Sequence, residues 1–183
     1  MHNCMQTPTI STLQHGILCF SYYLDLLQIL SGKVSLYDLQ LPDLFMVEAK
    51  NLLTHQLPLE TMMSALIYHD CGKYICQSED EQGVHFRNHA ATSAELYAHL
   101  FSDVDAKWLI SNDMLLHTCT AEELAAVIPK TVPEYLTSLL LGSYAELHAN
   151  AQQFGGRDST NFKIKLKHLT KRCNQILREV HYV

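Results

Sequence analysis

Apolar residues recur along this chain mainly three and four positions apart, the spacing that lines one face of an α-helix. The pattern predicts a first helix from Thr12 that stops at Ser31-Gly32, where the glycine suits a C-terminal stop. A second opens at Pro42, a good first-turn residue, and runs to about His55. Pro58 separates it from a third, residues 59–70, with Met62, Ala65, Leu66 and His69 on one stripe. Residues 71–88 are polar and irregular and read as an ordered loop. Further helices are expected at 89–101, 104–117, 121–128, 133–153 and 160–180, with Asp158-Ser159-Thr160 placed to cap the last. Nothing reads as paired strands, a repeat or a low-complexity segment. The expectation is an all-α, single-domain helical bundle of about seven to eight helices over residues 1–183, with its core in 12–156 and a basic C-terminal helix in 157–183.

Composition supports this picture. The 183 residues are 48% hydrophobic with only seven glycines and five prolines, which favours long helices over many tight turns. Six cysteines (Cys4, Cys19, Cys71, Cys76, Cys119, Cys173) form no C-x-x-C pair and read as reduced thiols of a cytoplasmic protein. The apolar run 16–30 is broken by Asp25 and Gln28, so neither a signal peptide nor a membrane span is expected. The net charge of −6 is uneven: residues 157–183 carry seven Lys/Arg against two acids. Such a segment steers a polyanion, and an exposed helix with a charged face accounts for it equally.

The residues able to do chemistry centre on the adjacent pair His69-Asp70, at the end of an apolar helix and just before Cys71-Gly72-Lys73. An imidazole and a carboxylate delivered there suit a divalent cation, while Lys73 offers a point charge to phosphoryl oxygens. His-Asp alone is common by chance; its surroundings give it weight. His85 and His89 are four apart and share a face if their helix starts early enough, and Asp113 and His117 are four apart inside the helix predicted at 104–117. Glu146 and His148 lie in an apolar helix, where unpaired polar groups are costly, and His15 opens the first helix. Each has a plainer reading: His85 orders the loop, His117 is a core histidine, Glu146 faces solvent.

The order His, His-Asp, His, His and a late acid resembles the HD-domain phosphohydrolase superfamily, and ALIYHDCGKY is similar to its apolar-helix-HD-x-GK signature. The phrases HDCGK, HFRNHAATSAE, NDMLLH and AELHANAQQFGGRDSTNFKIK resemble small phage and bacterial HD proteins, over roughly residues 12–170. The resemblance implies a helical HD-type fold and a first metal site of His15, His69, Asp70 and a late acid. It implies a second site of His89 and His117, with Asp70 bridging. The late acid is usually aspartate in that family. Here Glu146 is the first choice, with His148 and Asp113 as alternatives, and His55 is a rival to His15.

A function follows as an expectation: a metal-dependent phosphohydrolase, using one or two divalent ions (Mn, Fe, Co, Ni or Zn), that cleaves a phosphate ester of a nucleotide or nucleic-acid end. The bond is a phosphomonoester or a cyclic phosphodiester, and the nucleophile is a metal-activated hydroxide. Asp70 and Lys73 are the catalytic candidates. Lys73, Arg87, Arg157 and Lys163 are the candidates for phosphate binding. The alternatives are a di-iron oxygenase of the same fold and a non-catalytic metal- or nucleotide-binding module.

Overall fold

The computed structural model describes residues 1, 4–5, 10–81 and 83–180. The last three residues of the basic segment 157–183 lie outside the described residues, as do parts of the opening stretch of the predicted 1–183 domain.

The chain is predominantly helical, as the apolar periodicity predicts. α1 (Thr12–Leu30) begins in a capping box, in which Ser11 Oγ accepts from Gln14 N and Gln14 Oε1 accepts from Ser11 N. α2 (Asp43–Val47) and α3 (Ala49–Thr54) replace the single helix expected over 42–55. They part at Glu48, whose backbone is at φ −92°, ψ 10° and whose carboxylate accepts from Asn51. α4 (Leu59–Tyr68) carries the Met62, Ala65 and Leu66 stripe into the core. α6 (His89–Leu100), α7 (Val104–Ser111), α8 (Leu115–Thr118) and α9 (Ala121–Val127) follow the short segment described next. α10 (Pro133–Ala149) is buried on every side from Leu136 to His148, and α11 (Thr160–Glu179) is capped by Ser159 Oγ, as expected of the Asp-Ser-Thr run. Packed against α1, α4, α7, α8 and α11, α10 is the central helix of the bundle.

Three further expectations are corrected. Residues 71–88 are ordered, as expected, but not as a loop: they hold a helical turn, α5 (Lys73–Cys76), and an antiparallel hairpin of β1 (Gln77–Asp80) and β2 (Gly83–Phe86). β1 is exposed at every position, so it carries no alternation of apolar and polar residues that pattern reading could detect. The helix predicted at 104–117 breaks at Asn112–Met114 into α7 and α8, so Asp113 sits in a turn. The 133–153 helix stops at Ala149 and continues as a short 3-10 turn, Ala151–Phe154.

Two glycines set the approach of the elements that matter. A Cβ on Gly16 would stand 2.4 Å from Ile67 O, so α1 and α4 meet backbone to backbone beside His15 and His69. A Cβ on Gly72 would stand 2.6 Å from Ser93 N and 2.9 Å from His89 O, which seats the turn after Asp70 on the first turns of α6. Gly72 N donates to Ser93 Oγ there.

Candidate metal centre

Six elements converge on one buried polar cluster. α1 supplies His15, the end of α4 supplies His69 and Asp70, and α6 begins with His89. Asp113 comes from the turn after α7, His117 from α8 and Glu146 from α10. Asp70 is the hub. Its Oδ2 lies 3.3 Å from His69 Nε2, 3.7 Å from His15 Nε2 and 2.6 Å from Lys73 Nζ, and its Oδ1 lies 3.6 Å from His89 Nε2. His117 Nε2 is 3.2 Å from Glu146 Oε2, while Asn150, one turn further on, donates to Glu146 Oε1. The ligand atoms of His69, Asp113 and Glu146 all lie within 4.8 Å of one another.

Two of the imidazoles are fixed in orientation by backbone carbonyls. His69 Nδ1 faces Leu66 O and His89 Nδ1 faces Phe86 O, both at 2.8 Å. A carbonyl only accepts, so each Nδ1 carries hydrogen and each Nε2 is turned toward the cluster. Metal-binding histidines are oriented in this way.

Several donors and acceptors of the cluster have no partner. His69 Nε2, Asp70 Oδ1 and Asp113 Oδ2 are buried without a hydrogen bond. Buried Asp25 makes the contrast, because its carboxylate accepts from Ser35 Oγ, Leu36 N and Tyr37 N. Leaving buried polar atoms unmatched is costly, and a cation would match all three. The spacing agrees. Two nitrogen or oxygen ligands at about 2.0–2.2 Å from a tetrahedral ion stand roughly 3.4 Å apart, close to the 3.2–3.7 Å separations measured here.

Electrostatics carries the same demand. Burial penalises the charge on His69, but Asp70, Asp113 and Glu146 outweigh it and raise its pKa to about 10. Burial opposes the Asp70 carboxylate as well, and His69, Lys73 and His15 still hold it well below the usual range. Burial and then Glu146 push Asp113 up to about 7. Glu146 is lowered to about 2, because His117 and His69 outweigh its burial. His117 is raised by Glu146 and Asp113 against the burial that lowers it. His15 falls to about 4 through burial and its neighbour His69. Without an ion, the proton on His69 and the Lys73 ammonium supply positive charge beside the Asp70 and Glu146 carboxylates.

The cluster opens on one side into a cavity of about 590 Å³. Lys73, Lys165 and the imidazoles of His85, His89, His117 and His168 line it beside Glu146, with Phe86, Met114, Phe154 and Ile164 as its apolar part. The Lys165 ammonium lies 4.9 Å from the centre of the Phe154 ring, and Lys73 lies 5.5 Å from that of Phe86.

Most of the candidate residues meet here: His15, His69, Asp70, Lys73, His89, His117 and Glu146, with Asp113 joining them. His148 does not. Its Nδ1 faces Tyr144 O and its Nε2 accepts from Gln40 N, so both ring nitrogens are engaged away from the cluster. His55 sits at the end of α3 against Asn51 O and Thr54 Oγ1. His85 shares no helix face with His89, because α6 begins at His89; it is on β2, bound to Asp80. Three proposed phosphate contacts also lie apart from the cavity lining. Arg157 is tied to Asp38 O, Lys163 points outward toward Asp158, and Arg87 is exposed beyond β2. Lys165 and His168, which sequence reading did not select, line the cavity instead.

Comparison with protein-family models, with curated proteins and with solved structures finds no match to this chain. No described helix is long and apolar enough to cross a membrane.

Proposed function

We propose that the protein is a metal-dependent phosphohydrolase acting on a phosphate ester of a nucleotide or a nucleic-acid end. The observation that carries this reading is the set of buried atoms without a hydrogen bond, His69 Nε2, Asp70 Oδ1 and Asp113 Oδ2, in a cluster whose Lys73, His89, His117 and Glu146 form part of the cavity wall. His15, His69, Asp70, Asp113 and Glu146 would hold one cation, and His89 and His117 suit a second that shares Asp70. A bound divalent transition metal supplies neutralising charge and an acidified water.

The chain's own residues account for the rest. Lys73 Nζ, now on Asp70 Oδ2, is within the cavity wall and would turn to phosphoryl oxygens as their charge grows. Lys165 and His168 face the cavity from α11 as further anion contacts, and the Phe154 and Phe86 rings offer apolar surface for a base. The basic and apolar linings together favour a phosphate ester with an aromatic body.

The test is phosphate release, measured without oxygen, from nucleotides and end-phosphorylated oligonucleotides with Mn²⁺, Co²⁺, Ni²⁺, Fe²⁺ or Zn²⁺. Anaerobic turnover supports hydrolysis. Turnover that requires oxygen points to di-iron oxygenase chemistry. Metal uptake without turnover on any of these substrates points to a binding module.

A further inference from the structure

We propose that Cys19 is a sulfur ligand of the metal centre and that the site therefore selects a borderline-soft cation, zinc or cobalt, over manganese or magnesium. The inference rests on reading the cluster as a metal centre, and it adds a ligand that neither the apolar-helix pattern nor the His-Asp signature picks out.

Cys19 follows His15 by one turn of α1, so the two side chains leave the helix on the same side. Its Sγ lies 3.5 Å from His15 Nε2 and 3.8 Å from His15 Nδ1. The ligand atoms of His15, Cys19 and His69 all fall within 4.8 Å of one another. His15 and His69 meet edge to face, with ring centres 5.3 Å apart. His69 Nδ1 is committed to Leu66 O, and His69 Nε2 is buried without a hydrogen bond, with Asp70 Oδ2 at 3.3 Å. That atom points to a missing ligand independently of the cysteine.

Bond lengths support direct coordination. A zinc–sulfur bond of about 2.3 Å and a zinc–nitrogen bond of about 2.0–2.1 Å, set at the tetrahedral angle, separate sulfur and nitrogen by roughly 3.6 Å. The measured 3.5 Å matches that edge. Two groups of ligand atoms thus share His69: oxygen donors from Asp113 and Glu146, and a sulfur donor from Cys19 beside His15. Cys71 and Cys76 are closer to the His-Asp pair in sequence, yet their thiols face Ser93 O and Thr92 Oγ1. Cys19 is wholly buried, so solvent does not compete for its sulfur. On coordination the S–H bond breaks, its proton leaves to solvent, and the sulfur lone pair forms the bond to the metal. No oxidation is involved. A thiolate favours zinc and cobalt over the harder manganese and magnesium.

The experiment uses the full chain, stripped of metal and loaded with Co²⁺. Thiolate bound to cobalt gives a near-ultraviolet charge-transfer absorption that nitrogen and oxygen ligands do not. That absorption is expected in the wild type and in Cys71→Ser, and its loss is expected in Cys19→Ser with cobalt still bound. Zinc affinity of Cys19→Ser should fall at least ~tenfold, while manganese affinity changes less than about threefold. Cobalt bound to the wild type without the absorption, or an absorption that survives in Cys19→Ser, overturns the sulfur ligand and leaves the metal centre standing. Failure of the wild type to bind cobalt or zinc overturns both. The wild-type spectrum decides the question even if the variant folds poorly.

Discussion

Gly16 lies against the backbone of Ile67 so closely that a single added methyl would stand 2.4 Å from the Ile67 carbonyl oxygen. This contact fixes the distance between His15, one residue earlier on α1, and His69, two residues later at the end of α4. Gly16→Ala must push the two helices apart or strain them, at a cost of about 1–3 kcal/mol. The expected result is a lower midpoint in urea unfolding together with weaker cobalt binding. Equal affinity in the variant would show that the helix spacing does not set the site.

Asp70 touches three imidazoles and Lys73, so its carboxylate both bridges the ligands and neutralises the lysine. Asp70→Asn keeps the shape and removes the charge. Metal affinity is expected to fall at least ~100-fold and phosphate release with it, with the helical circular dichroism of the wild type preserved. The asparagine variant is preferable to alanine because truncation would also leave a cavity where the carboxylate stood. Turnover at the wild-type rate in Asp70→Asn would sink the assignment of Asp70.

How far the sequence reveals this site depends on whether the relevant geometry is local. The His69-Asp70 step and Lys73 lie within one turn, so their adjacency is visible from spacing alone. Glu146 is visible for a different reason: an acid amid LLLGSYAELHANA needs a buried partner, and His117 supplies it. Asp113 was harder to place, since a break at Asn112–Met114 is needed to aim it beside Glu146 and no glycine or proline marks that break. The lysines of α11 illustrate the opposite case. Lys163 and Lys165 look alike in sequence, and the direction of each is set by how Phe162, Leu169, Cys173 and Ile176 seat the helix on the core. That rotation leaves Lys163 outside and carries Lys165 over Phe154. The hairpin is not legible in the sequence because β1 is polar and exposed throughout and so carries no periodic signal.

Metal binding should tighten as pH rises. His69, with its pKa raised to about 10, holds a proton at neutral pH that a cation must displace. A group with a raised pKa binds that proton across the whole range from pH 6 to 8, so each displaced proton makes the affinity about tenfold higher per pH unit. Titrating the stripped protein with Zn²⁺ in buffers of different ionisation enthalpy should also show proton release. A pH-independent affinity would contradict a site whose positive charge is held by protons.

His148 predicts a pH dependence of stability itself, which also strengthens as pH rises. Its Nε2 accepts from Gln40 N, and burial lowers its pKa from the ordinary 6.5 to about 4. As pH falls below 6.5 the unfolded chain takes up this proton first. The contribution is therefore complete above pH 6.5 and lost between there and about 4, on the order of 3 kcal/mol in all. His148→Gln keeps an acceptor for Gln40 N but does not titrate, and its stability should decline less than the wild type's over that interval in urea unfolding. Parallel declines would show that His148 is not the group responsible.

Lys165 and Lys163 test whether the cavity is where substrate binds. Lys165 lines the cavity over the Phe154 ring, whereas Lys163 lies 3.9 Å from Asp158 on the outer side of α11. A charged contact to phosphate is worth about 1.5–3 kcal/mol, which corresponds to a tenfold or greater change in affinity. Lys165→Ala is therefore expected to raise KM for a nucleotide at least ~tenfold, with kcat changed less, while Lys163→Ala leaves both near wild type. With an oligonucleotide in place of a mononucleotide, a strand lying along the outer face of α11 would make Lys163→Ala costly too, and more so at low salt. Equal, small effects of the two substitutions on every substrate would remove the cavity as the binding site.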